Sequence, residues 1–139
     1  MREYPRNSPQ AGARIVAMCM LADSDLDPSE LGASELEKIY QVLGMRQAEF
    51  LSVLRDYLHD LRRVTANPAG RISMLEPERV NAILDAVDEH AFRINVLALS
   101  LAICKGDHAL NEAEIALFRH IMARWQIDLT DLEIEVSLG

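Results

Sequence analysis

Aromatic side chains are scarce in this chain, with three Tyr, three Phe and one Trp making up 5% of 139 residues. Stacking platforms for nucleic-acid bases are therefore short of material. Positive charge is thin as well. Fourteen Lys and Arg stand against 22 Asp and Glu, leaving a formal charge of −8, which argues against a general binder of nucleic acid or anionic membrane, since phosphate contacts need a basic face. Long apolar runs are missing too. The longest uncharged one, Ile94 to Cys104, has eleven residues; as a helix it spans about 16 Å against a hydrocarbon core of roughly 30 Å, so it cannot cross a bilayer.

Cysteine is limited to Cys19 and Cys104, each inside an apolar run and neither in a CxxC or ligand-spaced cluster. Both read as buried reduced thiols, which favours the cytoplasm. Ile15 to Ala22, after Arg14, has the outline of a short secretory segment, but Met18 before Cys19 is too large for a lipoprotein cleavage site. No Ser-His-Asp order, HExxH pair or glycine-rich phosphate loop is present, and His59, His90 and His120 stand singly. A non-enzymatic role is the expectation.

Apolar residues make up half of the sequence. A chain of this length and composition forms one domain and buries very roughly two-thirds of its unfolded surface. It also carries an internal duplication. Asp23-Ser24-Asp25-Leu26-Asp27-Pro28-Ser29-Glu30 lies over Asp107-His108-Ala109-Leu110-Asn111-Glu112-Ala113-Glu114 at an offset of 84, and both copies follow an apolar run. After a two-residue adjustment at Gly32-Ala33 the register continues at offset 82, setting Leu36 over Phe118, Ile39 over Ile121, Leu43 over Trp125 and Met45 over Ile127.

The shared motif is a helix start. Asp27 and Asn111 are good N-cap residues, Glu30 and Glu114 follow three positions later, where a carboxylate complements the helix dipole, and Pro28 suits the first helical position. Hydrophobic spacing then predicts an all-α, single-domain bundle of about seven helices with a pseudo-twofold relation between its halves. The first helix is expected over 11–22. The second runs from Pro28 to Leu43 and ends at Gly44, which suits a left-handed C-terminal position. Phe50, Leu51, Leu54, Leu58 and Leu61 place a third over Gln47 to Val64, and Asn67-Pro68-Ala69-Gly70 breaks the chain. Pro77 opens a fourth, with Val80, Ile83, Leu84 and Val87 on one face. A fifth, from Glu89 to Cys104, is apolar nearly all round and reads as the buried central helix. A sixth covers Glu112 to Arg124, and Thr130-Asp131-Leu132-Glu133 caps a short last one. Residues 1–10, with Pro5 and Pro9, read as a loose arm. The halves are 11–64 and 89–136, joined by a connector over 65–88.

An apolar helix, a tight acidic corner and a helix opening with Glu a turn later, occurring twice over residues 11–136, resemble the TerB family of bacterial tellurite-resistance proteins. The same domain type begins the membrane-anchored DjlA class of J-domain co-chaperones. The resemblance implies an all-helical domain, a non-enzymatic role in chemical stress, partners among membrane-associated stress proteins, and acidic corner residues that bind a divalent metal. Carried onto this chain, those residues are Asp23 and Glu30 in one half and Asp107 and Glu114 in the other. Where the family has Gly after the Asp, this sequence has Ser24 and His108, and Gly106 replaces the usual preceding Ala. The cheapest route to a positive φ at that corner is thereby lost, which marks a divergent member.

Asp23, Asp25, Asp27 and Glu30 supply four carboxylates in eight residues, the hard-oxygen set preferred by Ca²⁺ or Mg²⁺. Pro28 where an EF-hand loop wants Gly, and Ser34 where it wants the bidentate Glu, argue against an EF-hand. Two readings stay open. In one, Asp27 and Glu30 cap a helix while Asp23 and Asp25 are solvated. In the other, a weak divalent site is completed by Asp107 and Glu114 across the pseudo-twofold, with Mn²⁺ a further candidate and His108 lending a nitrogen that shifts preference toward Zn²⁺.

Arg55, His59, Arg62 and Arg63 form a basic stripe at helical spacing. Residues 23–40 carry net −5 and residues 76–92 net −4, whereas 41–75 carry net +2. The stripe therefore reads as pairing with acidic helices or docking an acidic protein partner, with RNA or acidic lipid as the sharper alternative. The competing role for the whole chain is a metal-free helical interaction or scaffold domain, homodimeric or with another protein.

Overall fold

The computed structural model describes residues 4–20, 33–64, 77–104 and 112–127, apart from the side chains of 33–36, 61–64, 77, 104, 113 and 114. Among the described residues every regular element is a helix and there is no strand. Six helices follow in order: α1 (Pro9–Met20), α2 (Ala33–Leu43), α3 (Gln47–Val64), α4 (Pro77–Asp85), α5 (His90–Cys104) and α6 (Glu112–Trp125). The breaker at 67–70 and the expected helix after Thr130 lie outside the described residues.

Local chemistry sets the helix ends. Ser8 is the N-cap of α1, its Oγ accepting the Ala11 amide at 3.1 Å while its carbonyl accepts from Gly12 at 3.2 Å. Pro9 then occupies the first helical position, where a missing N–H is harmless. The expectation of a loose arm through residue 10 is thus corrected at Pro9 and Gln10, which belong to α1. Pro9 starts the helix, and Asn7 before it is hydrogen-bonded to the bundle.

α2 ends as Gly44 allows. Gly44 has a φ of 69° and its amide bonds back to the Tyr40 carbonyl at 2.8 Å, the single-bond left-handed cap. α6 closes through Gln126 at φ 56° and a bond from the Ile127 amide to the Met122 carbonyl at 3.0 Å, the longer-span Schellman cap. In this final stretch of α2 and α6, Ile39, Leu43 and Met45 are buried, and so are Ile121, Trp125 and Ile127.

The centre of the bundle is α1 rather than α5, a second correction. Every residue from Ala11 to Met20 is buried, and the helix packs against all five others, most extensively α5 and α3. α5, although apolar nearly all round, leaves His90, Ala91, Asn95 and Ala102 exposed. Side-chain size accounts for the exchange of roles. Ala11, Gly12, Ala13 and Ala17 let neighbours approach α1 closely, and a Cβ added at Gly12 would stand 2.8 Å from Phe92 Cζ, 3.1 Å from Val96 and 3.2 Å from Leu43.

α3 turns Phe50, Val53, Leu54 and Tyr57 into the core, and α4 adds Val80, Ile83 and Leu84. α4 is tied to α6 by a polar ladder at matching turns. Asn81 Oδ1 meets His120 Nε2 at 2.7 Å, and Arg124 grips the Asp85 carboxylate with two bonds of 3.0 and 2.8 Å. The Trp125 indole N–H bonds the Leu84 carbonyl at 3.3 Å, and the Arg93 guanidinium lies over the Trp125 ring, 5.4 Å from its centre. Among the described residues no helix is long and apolar enough to cross a membrane.

Candidate functional site

Of the acidic corners, Asp23, Asp25, Asp27, Glu30, Asp107 and His108 lie outside the described residues. Glu114 has a described backbone position in the first turn of α6, which begins at Glu112, one residue after Asn111. Among the described residues no group of three or more His, Cys, Asp or Glu side chains is placed to hold a metal ion. In the basic stripe, Arg55 and His59 are exposed on α3, and Arg62 and Arg63 take up backbone positions in its last turn. His90 is exposed, whereas His120 is half-buried by its bond to Asn81. Cys19 is fully buried within α1.

A buried polar group where α1 meets α3 was not visible as a motif. Arg14 is only 5% exposed, its guanidinium lying over the Tyr4 ring at 4.9 Å from the centre. Such a contact is worth up to about 2 kcal/mol when water is excluded. Tyr57 is buried close to Arg14 and Cys19. Burial pushes its phenol far above its ordinary value, the Cys19 charge adds to the rise, and the Arg14 charge opposes it. Asp60, one turn further along α3, is also buried. The sequence signal for this group is the single charge, Arg14, inside an otherwise apolar run.

Beside it an open cleft of about 370 Å³ is lined by Tyr4, Gln10, Met45, Glu49, Ser52 and Asp56, among others. Tyr4 therefore faces two ways, covering Arg14 and walling the cleft.

Ahead of α1 the chain is clipped to the turn between α4 and α5. The Asn7 amide donates to the Ala86 carbonyl at 2.8 Å. Its Oδ1 accepts the amides of Asp88 and Glu89 at 2.9 and 3.1 Å, and its Nδ2 donates to the Asp88 carboxylate at 2.6 Å. Arg6 adds an ion pair to Asp88 at 3.0 Å. The Asp88 carboxyl is held below its usual range, first by the Asn7 hydrogen bond, then by the Arg6 hydrogen bond, with the charges of Arg6 and Arg93 adding. Asn7 adopts φ 61°, a left-handed conformation that Asn tolerates better than most residues.

No family model, curated protein or solved structure matches the chain.

Proposed function

We propose that this chain is a non-enzymatic TerB-like stress-response module whose two acidic corners, at Asp23, Asp27 and Glu30 and at Asp107 and Glu114, bind a divalent cation. The observation that carries the reading is the agreement of the two helix ends downstream of those corners. At a constant offset of 82, buried Ile39, Leu43 and Met45 correspond to buried Ile121, Trp125 and Ile127, and left-handed Gly44 corresponds to left-handed Gln126. Agreement in burial and in backbone hand supports two related halves, in step with the repeat of the acidic motif in the sequence.

The chemistry of the donors supports a hard cation. Carboxylates favour Ca²⁺, Mg²⁺ or Mn²⁺, and His108 would draw the second corner toward Zn²⁺. Calorimetric titration with each of the four ions tests the proposal, with Asp23→Asn plus Asp107→Asn as the variant.

A second reading, a metal-free interaction domain, rests on α2 and α3. Tyr40 is 55% and Val42 38% exposed on α2, while Arg55 presents positive charge on α3 beside an exposed His59. A domain of this kind docks an acidic protein or a second copy of itself. Sedimentation velocity of the purified chain separates a monomer from a homodimer, and loss of self-association in Tyr40→Ser is the result this reading expects.

A further inference from the structure

The geometry points to residues 4–8 as a strap that opens and closes as a unit on a folded helical core, and that lids the Arg14 guanidinium when closed. The polar fastenings of Arg6 and Asn7 converge on one place. Asn7 alone makes three bonds to Asp88 and Glu89 through its side chain and one to Ala86 through its amide, and Arg6 pairs with the same Asp88 carboxylate. One carboxylate and one Asn side chain therefore hold the Arg6–Asn7 end of the segment, so those bonds break together, and Tyr4 is held at the other end by its stack on Arg14.

The fastenings are also weaker than what lies behind them. The side chains of Arg6 and Asp88 are 68% and 43% exposed, so their pair competes with water and is screened by salt. From Ala11 to Met20 the chain is wholly buried, and its release requires the core to come apart. Exposed polar contacts joined to a buried helix define a segment that opens locally, well below the free energy of global unfolding. Ser8 and Pro9 mark the hinge, because the cap and the first helical position belong to α1 itself.

Opening has two structural consequences, both through Tyr4. The ring leaves the Arg14 guanidinium, exposing a cation that is 5% accessible in the closed state, and the cleft with Gln10, Glu49, Ser52 and Asp56 loses a wall. Whatever fills that cleft thereby favours the closed strap, and whatever pairs with Arg14 from that side favours the open one.

Native-state hydrogen exchange on the full chain, read by NMR, tests the proposal. The amides of Asn7, Asp88 and Glu89 are expected to share one opening, with protection at least tenfold below that of Val16 in α1. Asp88→Ala should lower the protection of Asn7 and Glu89 a further tenfold or more and leave Val16 unchanged. Arg6→Ala, which leaves the start of α5 intact, should lower it several-fold. In parallel, modification of Arg14 by phenylglyoxal, mapped by mass spectrometry, should run several-fold faster in both variants. Protection of Asn7 equal to that of Val16 overturns the proposal, because the segment then opens only with the core. Unrelated protection among the three amides, or an unchanged Arg14 modification rate, overturns it equally.

Discussion

Asn7 and Asp88 stand 81 residues apart and occupy the same position relative to their helices, each immediately before the N-cap of one of the two most extensively packed helices. Ser8 caps α1, and Glu89, whose carbonyl accepts the Arg93 amide at 2.9 Å, caps α5. The side chains of the pair bond at 2.6 Å, and the Asp88 amide returns a bond to Asn7 at 2.9 Å. The starts of α1 and α5 are thereby joined, and Gly12 lies against Phe92 and Val96 a short distance further in.

The Asp88 carboxyl gives this junction a pH dependence. Its value is lowered in the folded chain, so its contribution is present above the unfolded value of 3.8 and lost as pH falls through the depressed folded value. NMR titration of the Asp88 side chain should give a midpoint below 3.8, moving up toward it in Asn7→Ala. A wild-type midpoint at or above 3.8 contradicts the hydrogen-bonded arrangement.

Gly12 is where α1 admits its neighbours. Gly12→Ala gains about 1 kcal/mol of helix propensity but forces Phe92, Val96 and Leu43 to shift, at about 1–3 kcal/mol. A net loss of about 1 kcal/mol in urea unfolding is expected, and Phe92→Leu in the same background should recover part of it. Stabilisation by Gly12→Ala would show that α5 lies further away.

Gly44 and Gln126 offer a matched pair of opposite sign. Gly44→Ala meets no atom within 4 Å, so its cost, about 1 kcal/mol, is that of a left-handed Ala alone. Gln126→Gly relieves the same strain and should stabilise by about 0.5–1 kcal/mol. Changes of the same sign in thermal melts of the two variants would contradict one of the two caps.

Tyr57 should stay a neutral phenol while the chain is folded, because burial raises its ionisation far above the unfolded value of 10.0. Stability from this group is complete below pH 10.0 and declines as pH rises beyond it, when the unfolded chain ionises first. Absorbance at the tyrosinate band should therefore show Tyr57 ionising only as the helical signal is lost. Three tyrosines titrating together before unfolding would place Tyr57 at the surface.

Much of the secondary structure was legible because it is local. The bounds of α3, the left-handed end at Gly44 and the buried face of α4 follow from spacing and from the conformational freedom of one Gly. Tyr57 and Val53 widen the buried face of α3 beyond the leucine spacing, since α3 packs against α1 on a broader front. The central place of α1 escaped a reading by hydropathy because it depends on how small the side chains are, and α5 is the more apolar helix. The Asn7–Asp88 clip and the Tyr4–Arg14 stack join residues through the tertiary fold, and no local pattern announces them. Among the site residues named from sequence, Arg55 is exposed on α3, while Asp23, Asp25, Asp27, Glu30, Asp107 and His108 lie outside the described residues.

Titration calorimetry with Ca²⁺, Mg²⁺, Mn²⁺ and Zn²⁺ bears most directly on the proposed function. The account predicts saturable heat with at least one of these ions at or below millimolar concentration, and its loss in Asp23→Asn plus Asp107→Asn with helicity unchanged. No heat at millimolar concentration of any of the four ions, or heat that survives the double substitution, would contradict it.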